Sequence, residues 1–407
     1  MKALAASLAF ALTISMPLRA EDAWTEQRTQ PDEGTPGGHF GSAASLDGAL
    51  ALIGASGEDS SHGSAYFFAK GDAGWTELQR ITPDDPSASE FGYRTLLHGD
   101  IAIVTADSSS PNGNAAQGSA YVFAPDDEGT WSQTQILLAD DGGLFDSFGS
   151  AVSLDGDTLV IGAHGATVGE NAAQGAAYIF TNDGGTWTQS GKVVADDGIA
   201  FDNLGMATAL VGDTLFVGAS AAKVGDNFGQ GAVYAYHFDG ATWTQTQKLL
   251  ADDGAGGDSF GISLAFDGTT LLVGATGSAT VGAVYAFTND GGDWVQRQRF
   301  SVDGLNAFAN FGNAIALHDG TALVGCDIET VDGFTSRGAA YLFGFDGTNW
   351  VEGHRFISSD GTTDDFFGLA LDYDGTTALI STLHPDNDMG AAYFYTNDTV
   401  FADGFDG

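Results

Sequence analysis

Residues 140–180 read DDGGLFDSFGSAVSLDGDTLVIGAHGATVGENAAQGAAYIF, and this stretch decides the fold. FGSAVSL, from Phe148 to Leu154, predicts a first strand. Asp155-Gly156-Asp157 predicts a tight turn. TLVIGA, ending at Ala163, is nearly continuous in apolar residues and predicts a second strand buried on both faces. A longer Gly- and Asn-containing loop then leads to a third strand, AAYIF, ending at Phe180. Thr181-Asn182-Asp183-Gly184-Gly185 is a strong hairpin turn. The fourth strand begins at Trp187 and alternates as WTQSGKVV, the pattern of a half-exposed outer strand. No stretch beyond residue 20 keeps a helical period.

The unit recurs along the chain. Phe-Gly stands at Phe40, Phe91, Phe148, Phe260, Phe311 and Phe367, and Leu204-Gly205 takes the remaining place, with spacings of 51 to 57 residues. Gly-small-small-Tyr places a second marker at Tyr66, Tyr121, Tyr178, Tyr234, Tyr285, Tyr341 and Tyr393. The seven Trp of the chain each precede a Phe-Gly or Leu-Gly by 16 or 17 residues, starting with Trp24 before Phe40. The last copy, after Tyr393, has no Trp of its own, so the strand around Trp24 is expected to complete it. A four-stranded antiparallel unit at a period of ~50 residues predicts propeller blades about an axis. The fold class is therefore all-β: a seven-bladed β-propeller of four-stranded antiparallel blades, closed by the N-terminal strand. Stacked neighbours bury what one blade cannot.

Composition narrows the functional classes. Gly is frequent, at 59 residues, and Pro rare, at 8, which without a three-residue period points to many tight turns. The formal charge is −41, from 13 Lys+Arg against 54 Asp+Glu. Such a surface repels phosphate backbones, so no nucleic acid partner is expected. Cys326 is the only cysteine, which excludes an intramolecular disulfide and a multi-cysteine zinc site. It stands where other copies carry Ala, and a small buried residue is expected there. Lys2, the apolar and small run Ala3–Ser15, and Leu18-Arg19-Ala20 before acidic Glu21-Asp22 predict a signal peptide over 1–20, cleaved after Ala20. Residues 21–398 form the propeller and 399–407 a short tail. No transmembrane segment is expected, and the chain is expected to be secreted and monomeric.

Phe-Gly followed by Gly-Ala resembles the FG-GAP repeat, the family that includes the propeller of integrin alpha chains and many secreted bacterial proteins. The copies are most similar to its bacterial branch. The resemblance implies the fold and says little of activity. Gly-Ala stands at Gly54, Gly162, Gly218 and Gly274, but becomes Thr105-Ala106, Gly325-Cys326 and Ser381-Thr382 elsewhere, and the following Pro is absent throughout. The integrin-type calcium loop lies between Phe-Gly and Gly-Ala. Here that connection is only a turn such as Asp155-Gly156-Asp157, so no family metal ligand carries over.

Two sets of residues are candidates for chemistry. Successive loops of an up-and-down blade alternate between faces, so the two longer loops share one. That face collects Asp140, Asp141 and Asp146, Asp196, Asp197 and Asp202, and Asp252, Asp253 and Asp258, with variants at Asp84, Asp85 and Glu90 and at Asp360, Asp364 and Asp365. Asp141, Asp146, Asp197, Asp202, Asp253 and Asp258 are the expected ligands of a hard cation, Ca2+. The alternative is that these residues shape turns through side-chain to backbone hydrogen bonds. The second set follows the Gly-Ala position: Ser56, Asp107, His164, Ser220, Thr276, Asp327 and Leu383. Asp107, His164 and Asp327 are candidates for acid/base or ligand-binding groups at the channel mouth. The recurrent Tyr and Trp are expected to pack blades rather than stack sugars. The expected function is a secreted or cell-surface binding or adhesion module recognising a protein or glycan through its acidic loop face, with calcium assisting. The alternatives are a glycan-active hydrolase or lyase, and a structural envelope or matrix component.

Overall fold

The computed structural model describes residues 24–277, 281–383 and 389–397. The expected signal peptide and tail lie outside them. Seven four-stranded antiparallel sheets follow one another, six with their strands in sequence order and the last completed by the first strand of the chain. We number the blades from their Phe-Gly or Leu-Gly pairs, Phe40 (blade 1) to Phe367 (blade 7). Blade 3 holds Phe148–Asp155, Thr158–Ala163, Ala176–Asp183 and Thr186–Val193. Its last hairpin turns on Gly184 and Gly185, both at positive φ (61° and 93°), as a two-residue turn between right-twisted strands requires. Blade 7 takes Leu371–Tyr373, Thr377–Thr382 and Ala391–Asn397 from the C-terminal end and Trp24–Thr29 from the N-terminal end. Trp24 pairs with Asn397 and Thr29 with Ala392, so the expected closure is present.

The buried apolar residues fall into seven clusters, and each straddles two neighbouring blades, including the seam between blades 7 and 1. Between blades 2 and 3, Ile103 and Val122 of one meet Phe148, Ile161, Tyr178, Phe180 and Trp187 of the next. Phe148 is fully buried, edge-on to Tyr178 at 5.6 Å and Phe180 at 5.9 Å between ring centroids. Truncating a ring so placed costs about 3–5 kcal/mol. Cys326 is buried as expected.

Two glycines let the blades meet. Gly175 and Leu204 form a parallel bridge across the seam between blades 3 and 4. A Cβ on Gly175 would lie 2.1 Å from the Leu204 carbonyl oxygen, and one on Gly205 (φ 98°) would lie 2.3 Å from that of Ala176. No other residue fits without moving a strand. Farther out, glutamine amides staple adjacent blades. Gln135 Nε2 donates to the Trp187 carbonyl at 2.6 Å, and the Trp187 amide donates back to Gln135 Oε1 at 2.9 Å. Gln27 pairs in the same way with Trp75, Gln79 with Trp131, Gln247 with Trp294 and Gln298 with Trp350. Gly191 and His354 take this place in blades 3 and 6, so the glutamine itself recurs in five of the seven blades.

Gln135→Ala leaves the Trp187 amide and carbonyl without their partner. A loss of roughly 1–3 kcal/mol is expected, read as a lower midpoint in urea denaturation.

Candidate functional site

The two long loops of each blade share a face because they hydrogen-bond to each other. In blade 3 the amides of Phe201, Asn203 and Leu204 donate to the carbonyls of Ala172, Ala173 and Gln174. The same ladder joins Phe145, Ser147 and Phe148 to Ala115, Ala116 and Gln117. This rung pattern requires alternate residues in the left-handed region, so Phe145 (φ 63°) and Ser147 (φ 54°) both take it.

Beneath the ladder, a carboxylate caps each recurrent Tyr. Tyr178 Oη donates to Asp141 Oδ1 at 2.8 Å, and Lys192 Nζ, on the strand opposite, meets Asp141 Oδ2 at 2.8 Å. Tyr234, Asp197 and Lys248 repeat the arrangement, as do Tyr285, Asp253 and Arg299, and Tyr393, Asp360 and Arg28. Blades 1 and 6 reach it by another route. Glu58 and Glu329, from the loop after the second strand, accept from Tyr66 and Tyr341, each at 2.7 Å, and pair with Arg80 and Arg355. These two glutamates were not among the expected site residues. The signal for them is a cation opposite Tyr in a blade with no matching Asp. In blade 2 the cation's place is Ile136, and Tyr121 has Asp85 at 3.3 Å and Ser119 at 3.0 Å. Burial opposes ionisation of Asp141, yet the Lys192 and Tyr178 hydrogen bonds overcome it and hold the carboxyl below its ordinary range. Asp197 behaves alike with Lys248 and Tyr234. Burial first, then the adjacent carboxylate, pushes the Tyr178 phenol up.

The other expected ligands cap their own loops. Asp146 accepts from the Gly143 amide and Asp202 from that of Ile199, both at 2.8 Å, and Asp258 accepts from that of Ala255 at 2.6 Å. Among the described residues, no three His, Cys, Asp or Glu side chains gather closely enough to hold a metal ion. Asp141, Asp197 and Asp253 thus meet lysine or arginine, and Asp146, Asp202 and Asp258 a backbone amide.

The rim of this face carries exposed phenyl rings. Phe145, Phe201, Phe228 and Phe308 are between 56 and 73 % exposed, and Phe334 joins them at 42 %. The loops of blades 2 to 6 thus present one ring each. Phe145, Phe201 and Phe308 sit three residues before the Phe-Gly or Leu-Gly pair, at φ of 63°, 69° and 66°. Gly37 and Gly257 occupy the same place elsewhere at φ of 77° and 84°. A bulky side chain in that region is strained. Asp140, Glu170, Asp196, Asp226 and Asp252 stand exposed on these same loops.

The channel at the ring axis opens into a chamber of about 600 Å³ at the loop-face end. Of the residues expected at its mouth, Ser56, Asp327 and Leu383 line it, whereas Asp107 and His164 are not in its wall. The structure does not bring Asp107, His164 and Asp327 together: Asp107 and His164 lie within the field of Arg94, and Asp327 comes from blade 6. Burial raises Asp327 to about 6. Burial and the Glu90 carboxylate raise Asp107 to about 6 against the pull of Arg94. Burial, helped by the Arg94 charge, lowers His164. Among the described residues, no helix is long and apolar enough to cross a membrane.

The family described as FG-GAP repeat matches residues 24–68, 75–123, 131–180, 187–236, 243–287 and 350–395. The matched residues leave out 288–349, which holds the fourth strand of blade 5 and the first three strands of blade 6. No curated protein matches the chain. Among solved structures, a protein from Lactobacillus plantarum is similar at 12 % identity and a TM-score of 0.53, over 79 % of this chain and 86 % of that one. A proposed 6-phosphogluconolactonase from Bacteroides uniformis is similar at the same identity, TM-score and coverage. At that identity the likeness concerns the fold alone.

The engaged carboxylates predict that neither added calcium nor EDTA shifts the Tm; a calcium-dependent rise of several degrees would restore an ion to these loops. Asp327 and Asp107 ionise less readily folded than unfolded, so the folded chain holds more protons between the ordinary Asp range and pH 6. Their contribution to stability is complete below the unfolded value and is lost as pH rises through about 6. Asp327→Asn is therefore expected to remove a penalty of at most roughly 3 kcal/mol at pH 7. Urea denaturation should show the variant gaining more at pH 7.5 than at pH 4.5.

Proposed function

The chain belongs to the FG-GAP repeat family, and on that premise we propose that it is a secreted or cell-surface binding module. It recognises a protein or glycan through the loop face. The observation that carries this reading is the run of phenyl rings from blades 2 to 6. Three of them are held in a backbone conformation where sister blades use Gly. Strain kept at a surface position points to selection for contact rather than for stability. Phenyl faces offer apolar area for stacking, and the exposed carboxylates around them supply acceptors for hydroxyl, amide or cationic donors. The bond is made by these groups directly, because the loop carboxylates next to the Tyr residues are already engaged. The enzymatic alternative has less support: a hydrolase or lyase needs paired acid/base groups, and Asp327 has neither Asp107 nor His164 beside it in the chamber wall.

A chain carrying Phe145→Gly, Phe201→Gly and Phe308→Gly separates contact from folding. On protein and glycan arrays, at least a tenfold loss of the wild-type signal is expected. The Tm is expected to hold or rise, because release of left-handed strain offsets the added chain entropy of Gly. Unchanged array binding by the triple variant would remove the loop face as the contact surface.

A further inference from the structure

The inner strands of six blades begin alike. The second residue after Phe-Gly or Leu-Gly is Ala43, Ala151, Ala207, Ser263, Ala314 or Ala370, all small. Blade 2 carries Arg94 there, preceded by Tyr93, and both line the axial chamber. The blade has been rebuilt to admit them. In blades 1 and 3 a serine of the inner strand, Ser42 or Ser150, donates to the Gly carbonyl of the next blade at 2.9 Å. Tyr93 has displaced that serine in blade 2, and Thr105 donates to Gly149 instead, at 2.8 Å, from the position that is Gly162 in blade 3.

Arg94 is also unusual in its company. The thirteen Lys and Arg, less Lys2 and Arg19 outside the described residues, leave eleven. Eight of them pair with a carboxylate. Lys70, Lys223 and Arg94 do not among the described residues, and Arg94 alone of these lines the channel. In a chain with 54 Asp+Glu, a channel-lining guanidinium without an ion pair is conspicuous. It is held over its neighbour: its Cζ lies 4.5 Å from the Tyr93 ring centroid, and Nη1 donates to the Tyr93 carbonyl at 3.2 Å. Among the described residues one of its five N–H donors is used, and the fork remains for a planar or tetrahedral oxyanion. The opposite wall supplies Asp327 and Asn313; the Asn313 amide is turned to its neighbours, Nδ2 donating to the Gly368 carbonyl at 3.0 Å, so Asp327 is the polar group this wall offers.

We propose that the axial chamber binds a small polar molecule through an oxyanion, a carboxylate or a phosphate group, seated on the Arg94 guanidinium, with hydroxyl or amine donors turned toward Asp327. A volume of about 600 Å³ lies within the ordinary range for small-molecule sites. Of the wall carboxylates, Asp327 is raised to about 6 by burial, so it meets an incoming anion without charge only below that pH. This site is independent of the phenyl rim, and either can fail without the other.

Isothermal titration of the full purified chain with inorganic phosphate, galacturonate and neutral galactose tests it. Binding of phosphate or galacturonate but not galactose is expected, and whichever binds identifies the oxyanion. Arg94→Gln and Arg94→Ala, the latter restoring the residue of most sister blades, are expected to weaken it at least tenfold with unchanged circular dichroism. Should both variants misfold, a shift of the wild-type Arg94 Nε–Hε resonance on adding the bound probe takes their place as support. Absence of binding by both anions, equal binding of galactose, binding that survives in folded Arg94 variants, or an unmoved Arg94 resonance overturns the proposal.

Discussion

The ring rests on how closely one blade can approach the next. At each seam the Gly of the Gly-small-small-Tyr marker lies against the backbone of the following Phe-Gly or Leu-Gly, as Gly175 lies against Leu204. With the backbones in contact, the ring of Phe148 can lodge between Tyr178 and Phe180 and the cluster shared with blade 2 can close. Any side chain at Gly175 would separate the two blades, and the apolar cluster with them. The departures from the repeat respect this constraint. Thr105 stands in a Gly position but uses its hydroxyl to reach the Gly149 carbonyl, so the contact is kept.

Acidity takes a second form inside the blades. A carboxylate, a phenol and a cation recur at the base of the loop face in six blades, and six of the few Lys and Arg are placed there, opposite the Tyr on the neighbouring strand. Such partly exposed pairs contribute little individually. Their effect is to fix the root of each loop, so that the tips can hold strained rings at defined positions.

The architecture was legible in the sequence because packing repeats. Phe-Gly, Gly-small-small-Tyr and Trp each had to recur wherever blades touch, and Trp24 gave away the closure. The carboxylate functions were less legible. Asp141 and Asp146 share one loop motif, yet one meets Lys192 and the other a backbone amide, and only the fold brings Lys192 within reach. Glu58 and Glu329 were hidden because they come from a different loop than the Asp residues they replace. The glutamine staples appear as the ordinary polar half of an alternating strand, since WTQTQ looks the same whether its amides face water or a neighbour. Tyr93 and Arg94 were readable in principle, as the one break in a column of small residues, but the column becomes a channel wall only once the ring is closed.

The last sheet joins the two ends of the chain: Thr29 donates to the carbonyl of Ala392, 363 positions away. Until synthesis reaches that point, the first strand has no partner and blade 1 has only one neighbour. An incomplete chain is thus an open arc with two unpaired strand edges, the kind of surface that invites association with other chains. The loop closure that ends this exposure is the longest in the molecule and comes last. Folding of the ring is in that sense all or nothing in time, and a holding factor or confinement away from other copies would act on the arc rather than on the finished ring.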